Sequence, residues 1–225
     1  MPFKTELHAH TKETSNCGEV PAAELIEAYI NAGYSSVVIT DHLSTHTYFR
    51  YDYVNMSWDK KIDVFVKGYK AAKDAARGRI NVLFGMELRF DQDNVDNDYL
   101  VFGIDENFLR YNGDLINMNI KSFSKLAHEN GLIIFQAHPF RVNMRISDPK
   151  YLDGIEVYNA CVRHNSNNDI AEAWADKYGL LKSSGSDYHR PEDVGKGGII
   201  TETLITDNTE LIKTLLSGEY SLIKE

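Results

Sequence analysis

The chain has 225 residues, a net charge of -9, 43% hydrophobic and 25% charged residues, and two cysteines. Those proportions describe an ordinary soluble globular protein, long enough to bury one sizeable core. The acidic balance argues against a nucleic-acid binder, two thiols are too few for a disulfide framework and point to the reducing cytosol, and neither a signal-peptide core after Met1 nor a run long enough to span a bilayer is present.

Phe3 to His8 reads as a strand. A helix follows from Pro21, with Leu25, Ile26, Tyr29 and Ile30 on one stripe, and Gly33 stops it. Val37–Thr40 is a short buried strand. Ile62, Phe65, Val66, Tyr69 and Ala72 mark one helix, and Ile80–Leu88 the next strand. Tyr99–Ile104 is a fourth strand. Ile120, Phe123, Leu126 and Ala127 mark a helix ending at Gly131, and Leu132–Phe135 is a fifth strand. Ile155–Val157 is a sixth, a helix carries Ile170, Ala171, Trp174 and Ala175, and Leu180–Ser183 is a seventh. From Glu202 on, a short helix around Thr209–Leu216 and an extended piece complete the chain. No Pro/Ser-rich linker divides it, so residues 1–225 are expected to form one domain. Strand–helix alternation implies an α/β protein with a mostly parallel sheet, and about seven such units close economically into a barrel.

Metal-type residues follow the strands directly. His8 and His10 lie on the first, Asp41 and His42 after the second, Glu87 on the third, His138 after the fifth, Asp187 and His189 after the seventh. Successive side chains of a strand alternate sides, so His8 and His10 point the same way, and Asp187 and His189 share that spacing. Strand C-terminal ends gather on one face of a barrel, which brings these groups together. Glu87 ends the apolar run Val82–Met86, where a carboxylate must be paired or bound to a cation. Imidazole with carboxylate suits Zn, Mn or Fe, and the lack of thiolate clusters argues against a structural zinc site. His46, His128 and His164 read as solvated or hydrogen-bonded, and Cys17 as a small buried filler without a catalytic role.

The stretches Glu6-Leu7-His8-Ala9-His10-Thr11, Ile39-Thr40-Asp41-His42, Gly85-Met86-Glu87, Ala137-His138-Pro139-Phe140-Arg141, Gly154–Asn159 and Ser184–His189 together resemble the PHP (polymerase and histidinol phosphatase) family, in family order over most of the chain. The resemblance implies a distorted (β/α)7 barrel with a metal site at the C-terminal ends of its strands. It implies two or three divalent ions: one on His8, His10, Glu87 and Asp187, a second shared by Glu87 with His138, a third on His42 and His189. Two positions depart from the family pattern. Glu13 is the substitute expected for an acidic or histidine ligand after His-x-His, and Asp98 for a histidine ligand.

The activity implied is hydrolysis of a small phosphate ester, monoester or diester, by a hydroxide bridging the metals, with Glu87, Asp187 and His189 as the catalytic set. Lys12, Arg141, Asn159, Arg163 and Arg190 are the expected phosphate donors, since arginine matches phosphate geometry. Ser44–Ser57, with Tyr48, Phe49, Tyr51 and Tyr53, is either a lid over the non-phosphate part of the substrate or a packed surface loop. The alternatives are an amidohydrolase acting on C–N or carboxylic ester bonds and a non-catalytic metal-binding scaffold. A small phosphorylated partner is expected, nucleic acid and membrane are not, and the oligomeric state is left open.

Overall fold

The computed structural model describes residues 2–49, 51, 55–93 and 95–225. Its strands are β1 (Phe3–Ala9), β2 (Ser36–Ile39), β3 (His42–Leu43), β4 (Asn81–Arg89), β5 (Asp98–Phe102), β6 (Ile133–Gln136), β7 (Gly154–Asn159), β8 (Leu181–Gly185), β9 (Ile199–Thr201) and β10 (Ser221–Leu222). Its helices are α1 (Ala22–Asn31), α2 (Trp58–Phe65), α3 (Lys67–Ala76), α4 (Glu106–Tyr111), α5 (Ile120–Glu129), α6 (Asn168–Tyr178) and α7 (Asn208–Ser217). No helix among the described residues is long and apolar enough to cross a membrane.

The strands join one sheet in the order β10-β9-β1-β2-β4-β5-β6-β7-β8, with β3 on β4. The sheet curls until its ends meet. Beyond β1 and β8, the His10 N–H donates to Tyr188 O (3.0 Å) and the Tyr188 N–H to His8 O (3.2 Å). Deeper in this seam the Glu6 carboxylate accepts the Ser186 N–H at 3.0 Å. The result is the nearly closed α/β barrel expected from the sequence.

The distortion has a physical origin. β1, β2 and β4 pair in parallel, as do β6, β7 and β8, but β5 is antiparallel to both β4 and β6. Among the described residues the link from Arg89 to Asp98 carries no crossover helix, and a parallel pair needs a crossover of a dozen or more residues. β9 adds an antiparallel edge to β1, and β10 to β9.

Local signals set the helix ends. Gly33 (φ 75°) and Gly131 (φ 70°) adopt the left-handed geometry that stops α1 and α5. Asn119 and Ser122 form a capping box at the start of α5. The single helix expected across Ile62–Ala72 is instead α2 and α3, broken at Val66. The Thr14 hydroxyl bridges the break, donating to Phe65 O (3.0 Å) and accepting the Gly68 N–H (2.9 Å).

Packing places the site at one end of the barrel. On β4, Leu83 and Glu87 share one face and Met86 and Leu88 the other. Leu83 packs with Leu7, Val38, Leu100 and Phe135, closed off by Leu211 and Leu215 of α7. Met86 and Leu88 join the layer carrying Ile62 of α2, Leu109 of α4 and Phe123 of α5. Glu87 therefore emerges above an apolar plug, on the side of the strand turned away from α2, α4 and α5.

Candidate metal centre

Glu87 is fully buried, and imidazoles from several elements converge on its carboxylate. His138 Nε2 lies 3.1 Å and His8 Nε2 3.4 Å from Oε1, while His42 Nδ1 lies 3.0 Å and His10 Nε2 3.3 Å from Oε2. Asp187 closes the far side: its Oδ1 is 3.4 Å from both His8 Nε2 and His10 Nε2. Candidate ion positions are His8–Glu87–His138, His8–His10–Asp187, His10–His42–His189 and His42–Glu87–Asp98.

The backbone is bent to achieve this. His138 (φ 29°) and Asp187 (φ 49°) both occupy the left-handed region, which costs a side-chain-bearing residue about 1–3 kcal/mol. Such strain persists where the surroundings over-determine it. The His138 N–H is captured by Glu156 Oε2 at 3.0 Å, and Asp187 by the Arg141 guanidinium at 2.6 Å.

Burial opposes ionisation of Glu87. The neighbouring imidazoles of His42, His8, His10 and His138 outweigh it and hold the carboxyl well below its usual range. Asp187 behaves alike: burial is overcome by His8, Arg141 and His189. Burial disfavours charged His8, yet Glu156, Glu87 and Asp187 push its pKa well up. Against the same penalty, Asp187 and Glu87 raise His10 to about 9. His42 and His189 are dominated by burial and shift down, His189 to about 4.

The donor set fits divalent cations. His8 Nε2, His10 Nε2 and Glu87 Oε2 are buried without a hydrogen-bond partner, and they face one another across the cluster. A buried polar atom left unpaired costs about 1–3 kcal/mol, which a bound cation would recover. Glu156 supports the set from behind. Its Oε1 accepts His8 Nδ1–H at 2.8 Å, and its Oε2 also accepts the Asn159 amide at 2.8 Å. On the opposite side, Asp41 accepts the Thr11 N–H and hydroxyl and the Ser15 hydroxyl, each at 2.7 Å.

The residues expected of the site separate into two groups. His8, His10, His42, Glu87, His138, Asp187 and His189 come together. Asp98 reaches the group with His42 and Glu87, but both its oxygens already accept from Arg89, at 2.7 and 2.6 Å. Glu13 lies elsewhere: both its oxygens accept the Ala22 N–H at 3.0 Å, so it caps α1.

A cavity of about 700 Å³ opens over the cluster, walled by Arg89, Arg141, Arg163 and Arg190. Arg163 pairs with Asp193 (2.7 Å) and Arg190 with Glu19 (2.8 Å). Lys12 is exposed and does not line this cavity, and Asn159 sits behind Arg141, bonded to it at 2.6 Å. Tyr48 points into the core, while Phe49 and Tyr51 are exposed and line no part of the cavity. Tyr53 falls outside the described residues. His128 bonds Asp153 (3.0 Å), His46 packs against Phe49 with the rings tilted, and His164 is exposed on the cavity wall.

Arg89, Glu156 and Cys17 are the contributors sequence reasoning passed over. Glu156, between Ile155 and Val157 in a buried strand, carried the same signal as Glu87. Arg89 had none, since an arginine closing a strand reads as surface charge. Cys17 is no buried filler: it is exposed on the cavity wall, its Sγ 3.1 Å from His189 Nε2.

The model of the PHP domain matches residues 6–218. The chain belongs to the PHP domain family. A comparison with curated proteins finds no significant match. Among solved structures, all of this chain superposes on 65% of a two-domain Bacteroides vulgatus protein containing a predicted PHP-like metal-dependent phosphoesterase, with 14% identity and a TM-score of 0.70. An amidohydrolase from Chromobacterium violaceum, solved with sulfate and no metal, matches at 18% identity and a TM-score of 0.60 over 94% of this chain and 96% of that one. A lesion-specific endonuclease from Pyrococcus furiosus matches at 16% and 0.61, over 99% of this chain and 58% of that one. At these identities the likeness concerns the fold.

Proposed function

We propose that this PHP domain is a metal-dependent hydrolase of phosphate esters, with a small phosphomonoester or phosphodiester as substrate. The observation that carries the reading is the inward-facing set of unpaired donors, His8 Nε2, His10 Nε2 and Glu87 Oε2, lying under an arginine-walled cavity. His8, His10, Glu87 and Asp187 would hold one ion, Glu87 and His138 a second, and His42 and His189 a third. Nitrogen and oxygen donors of this kind suit Mn, Zn or Fe. Bound cations lower the pKa of water to about 7 and neutralise phosphate charge, which reconciles an anionic substrate with a protein of net charge -9.

The chain's own residues supply the rest. Glu87 and Asp187 are held ionised by the imidazoles and by Arg141, ready to receive cations. Arg141 sits beside Asp187 with its Nε on the Ser166 hydroxyl (3.1 Å), so its guanidinium is fixed in orientation. A guanidinium has five N–H donors, more than these contacts use, and Arg163 and Arg190 stand on the same wall. In this reading they bind and orient the phosphate, and Asp98 is a ligand only as far as Arg89 releases it. Two free cysteines support a reducing, cytosolic setting.

The endonuclease among the structural neighbours keeps nucleic acid on the list of substrates to try, and the amidohydrolase does the same for amides. The test is product release by metal-stripped protein reloaded with Mn²⁺, Zn²⁺ or Fe²⁺, on phosphomonoesters, phosphodiesters, single-stranded oligonucleotides and amides. Phosphate ester cleavage is expected. Turnover of amides alone would move the chain to the amidohydrolase reading. No turnover of any substrate, with metal content well below one ion per chain, would leave a scaffold. Arg141→Ala should raise KM for the phosphate ester.

A further inference from the structure

Arg89 stands two residues after Glu87 on β4, so its side chain leaves the strand on the face that carries the cluster. The antiparallel register sets it directly opposite Asp98 of β5. Arg89 Nε and Nη2 donate to the two Asp98 oxygens at 2.7 and 2.6 Å, the two-pronged geometry in which a guanidinium matches a carboxylate. Asp98 is almost fully buried, and one of its oxygens lies within 4.8 Å of ligand atoms of His42 and Glu87, a group able to hold an ion. A carboxylate buried beside a second carboxylate needs a cation. Here that cation is already present and engages both oxygens. Burial opposes the Arg89 charge, but Asp98, Glu87 and Asp96 outweigh it and push the guanidinium further above its usual range. Arginine also keeps its charge at any physiological pH, so this partner cannot be shed as a neutral base. The guanidinium lines the cavity above the cluster, with Nη1 3.6 Å from Asp96.

We propose that Arg89 is a built-in cation, its guanidinium taking the place of a metal ion at Asp98 and confining metal to the imidazole-rich side of the cluster. The inference rests on the metal centre proposed above and deepens it by removing Asp98 from the ligands. An ion at Asp98 would exchange with solvent; an arginine does not. The positive charge on this side of the cavity is therefore permanent, and it faces a bound phosphate whatever the metal supply. The pairing also explains how aspartate can stand where the family pattern has a histidine ligand: the carboxylate serves the arginine.

The test counts ions on the full chain, stripped of metal and titrated calorimetrically with Mn²⁺, with elemental analysis of the loaded protein. Wild type is compared with Arg89→Met, Asp98→Asn and the double variant. Asp98→Asn should bind as many ions as the wild type, with unchanged affinity. Arg89→Met frees the carboxylate and should take up a further ion, or hold its weakest ion at least about 10-fold tighter, and the double variant should lose that gain. A pair that only stitches β4 to β5 would lower the denaturation midpoint and leave the metal count alone. Arg89→Met binding Mn²⁺ like the wild type would therefore overturn the inference, as would an ion or about 10-fold in affinity lost in Asp98→Asn. Should Arg89→Met fail to fold, the Asp98→Asn titration decides by itself. Absence of bound Mn²⁺ from wild type and variants alike would overturn the metal centre and this inference with it.

Discussion

Glu156→Gln keeps the shape of a buried side chain and changes what it can accept. In the structure Oε2 receives two N–H donors, the His138 backbone and the Asn159 amide, and Oε1 receives His8 Nδ1–H. A glutamine has one acceptor oxygen. If that oxygen stays with the two donors, the new NH₂ faces His8 Nδ1 and turns it into an acceptor. The ring proton then moves to Nε2, the atom that points at Glu87 and Asp187. If the amide flips, NH₂ faces two N–H groups in a buried site. The first outcome takes away the free lone pair of His8, and the second breaks the hold on the His138 backbone and the Asn159 amide. Removing a group that orients a metal-bound histidine typically costs 10- to 100-fold, about 1.4–2.8 kcal/mol. The assay is calorimetric titration of metal-stripped protein with Mn²⁺ or Zn²⁺, alongside product release at saturating metal. The dissociation constant should rise by that factor, and turnover at subsaturating metal should fall with it. A variant that binds metal as tightly as the wild type would refute the argument that Glu156 sets the His8 tautomer.

Other outcomes follow from the same geometry. Glu87→Ala removes the carboxylate that His8, His10, His42 and His138 share, so bound metal by elemental analysis and product release should both fall to background. Gly68→Ala would place a Cβ 2.0 Å from Thr11 Oγ1 and 2.2 Å from Asp41 Oδ2, groups locked to each other at 2.7 Å. Overpacking of this kind costs about 1–3 kcal/mol, read as a lower denaturation midpoint, and an unchanged midpoint would show that the region yields freely. Metal at about 100 times its dissociation constant should add about 2.7 kcal/mol of stability, a rise of roughly 5–10 °C in Tm for a chain of this size, reversed by EDTA.

Sequence carried much of this site because its strongest signals are local. His8 and His10 are two residues apart on a strand, which fixes their common side, and Glu87 closes an apolar run where a lone carboxylate cannot stand. The helix stops at Gly33 and Gly131 were legible for the same reason. What stayed hidden depends on partners distant along the chain. β5 is antiparallel because of the short link before it, a property of neighbours and not of Tyr99–Ile104 themselves. The apolar period runs on through Val66, so the break between α2 and α3 shows only when Thr14 is seen stitching it. Glu13 was assigned to the cluster by its place after His-x-His, but the same place also lies within reach of the first turn of α1. Which use it serves is settled by the course of the loop. Cys17 carries no periodic signal at all.

The seam that closes the barrel gives the centre an unusual dependence on the whole chain. His8 and His10 come from its first lip, Asp187 and His189 from its second, and backbone and side-chain hydrogen bonds fasten the two. An ion held across that gap acts as a clasp. A nascent chain that has emerged as far as β7 already possesses Glu87, His138 and both early imidazoles, yet half of the clasp is still inside the ribosome. Competence to retain metal would therefore arrive abruptly and late in synthesis. Hydrogen exchange at the Tyr188 and His10 amides should report the clasp shutting when metal is added.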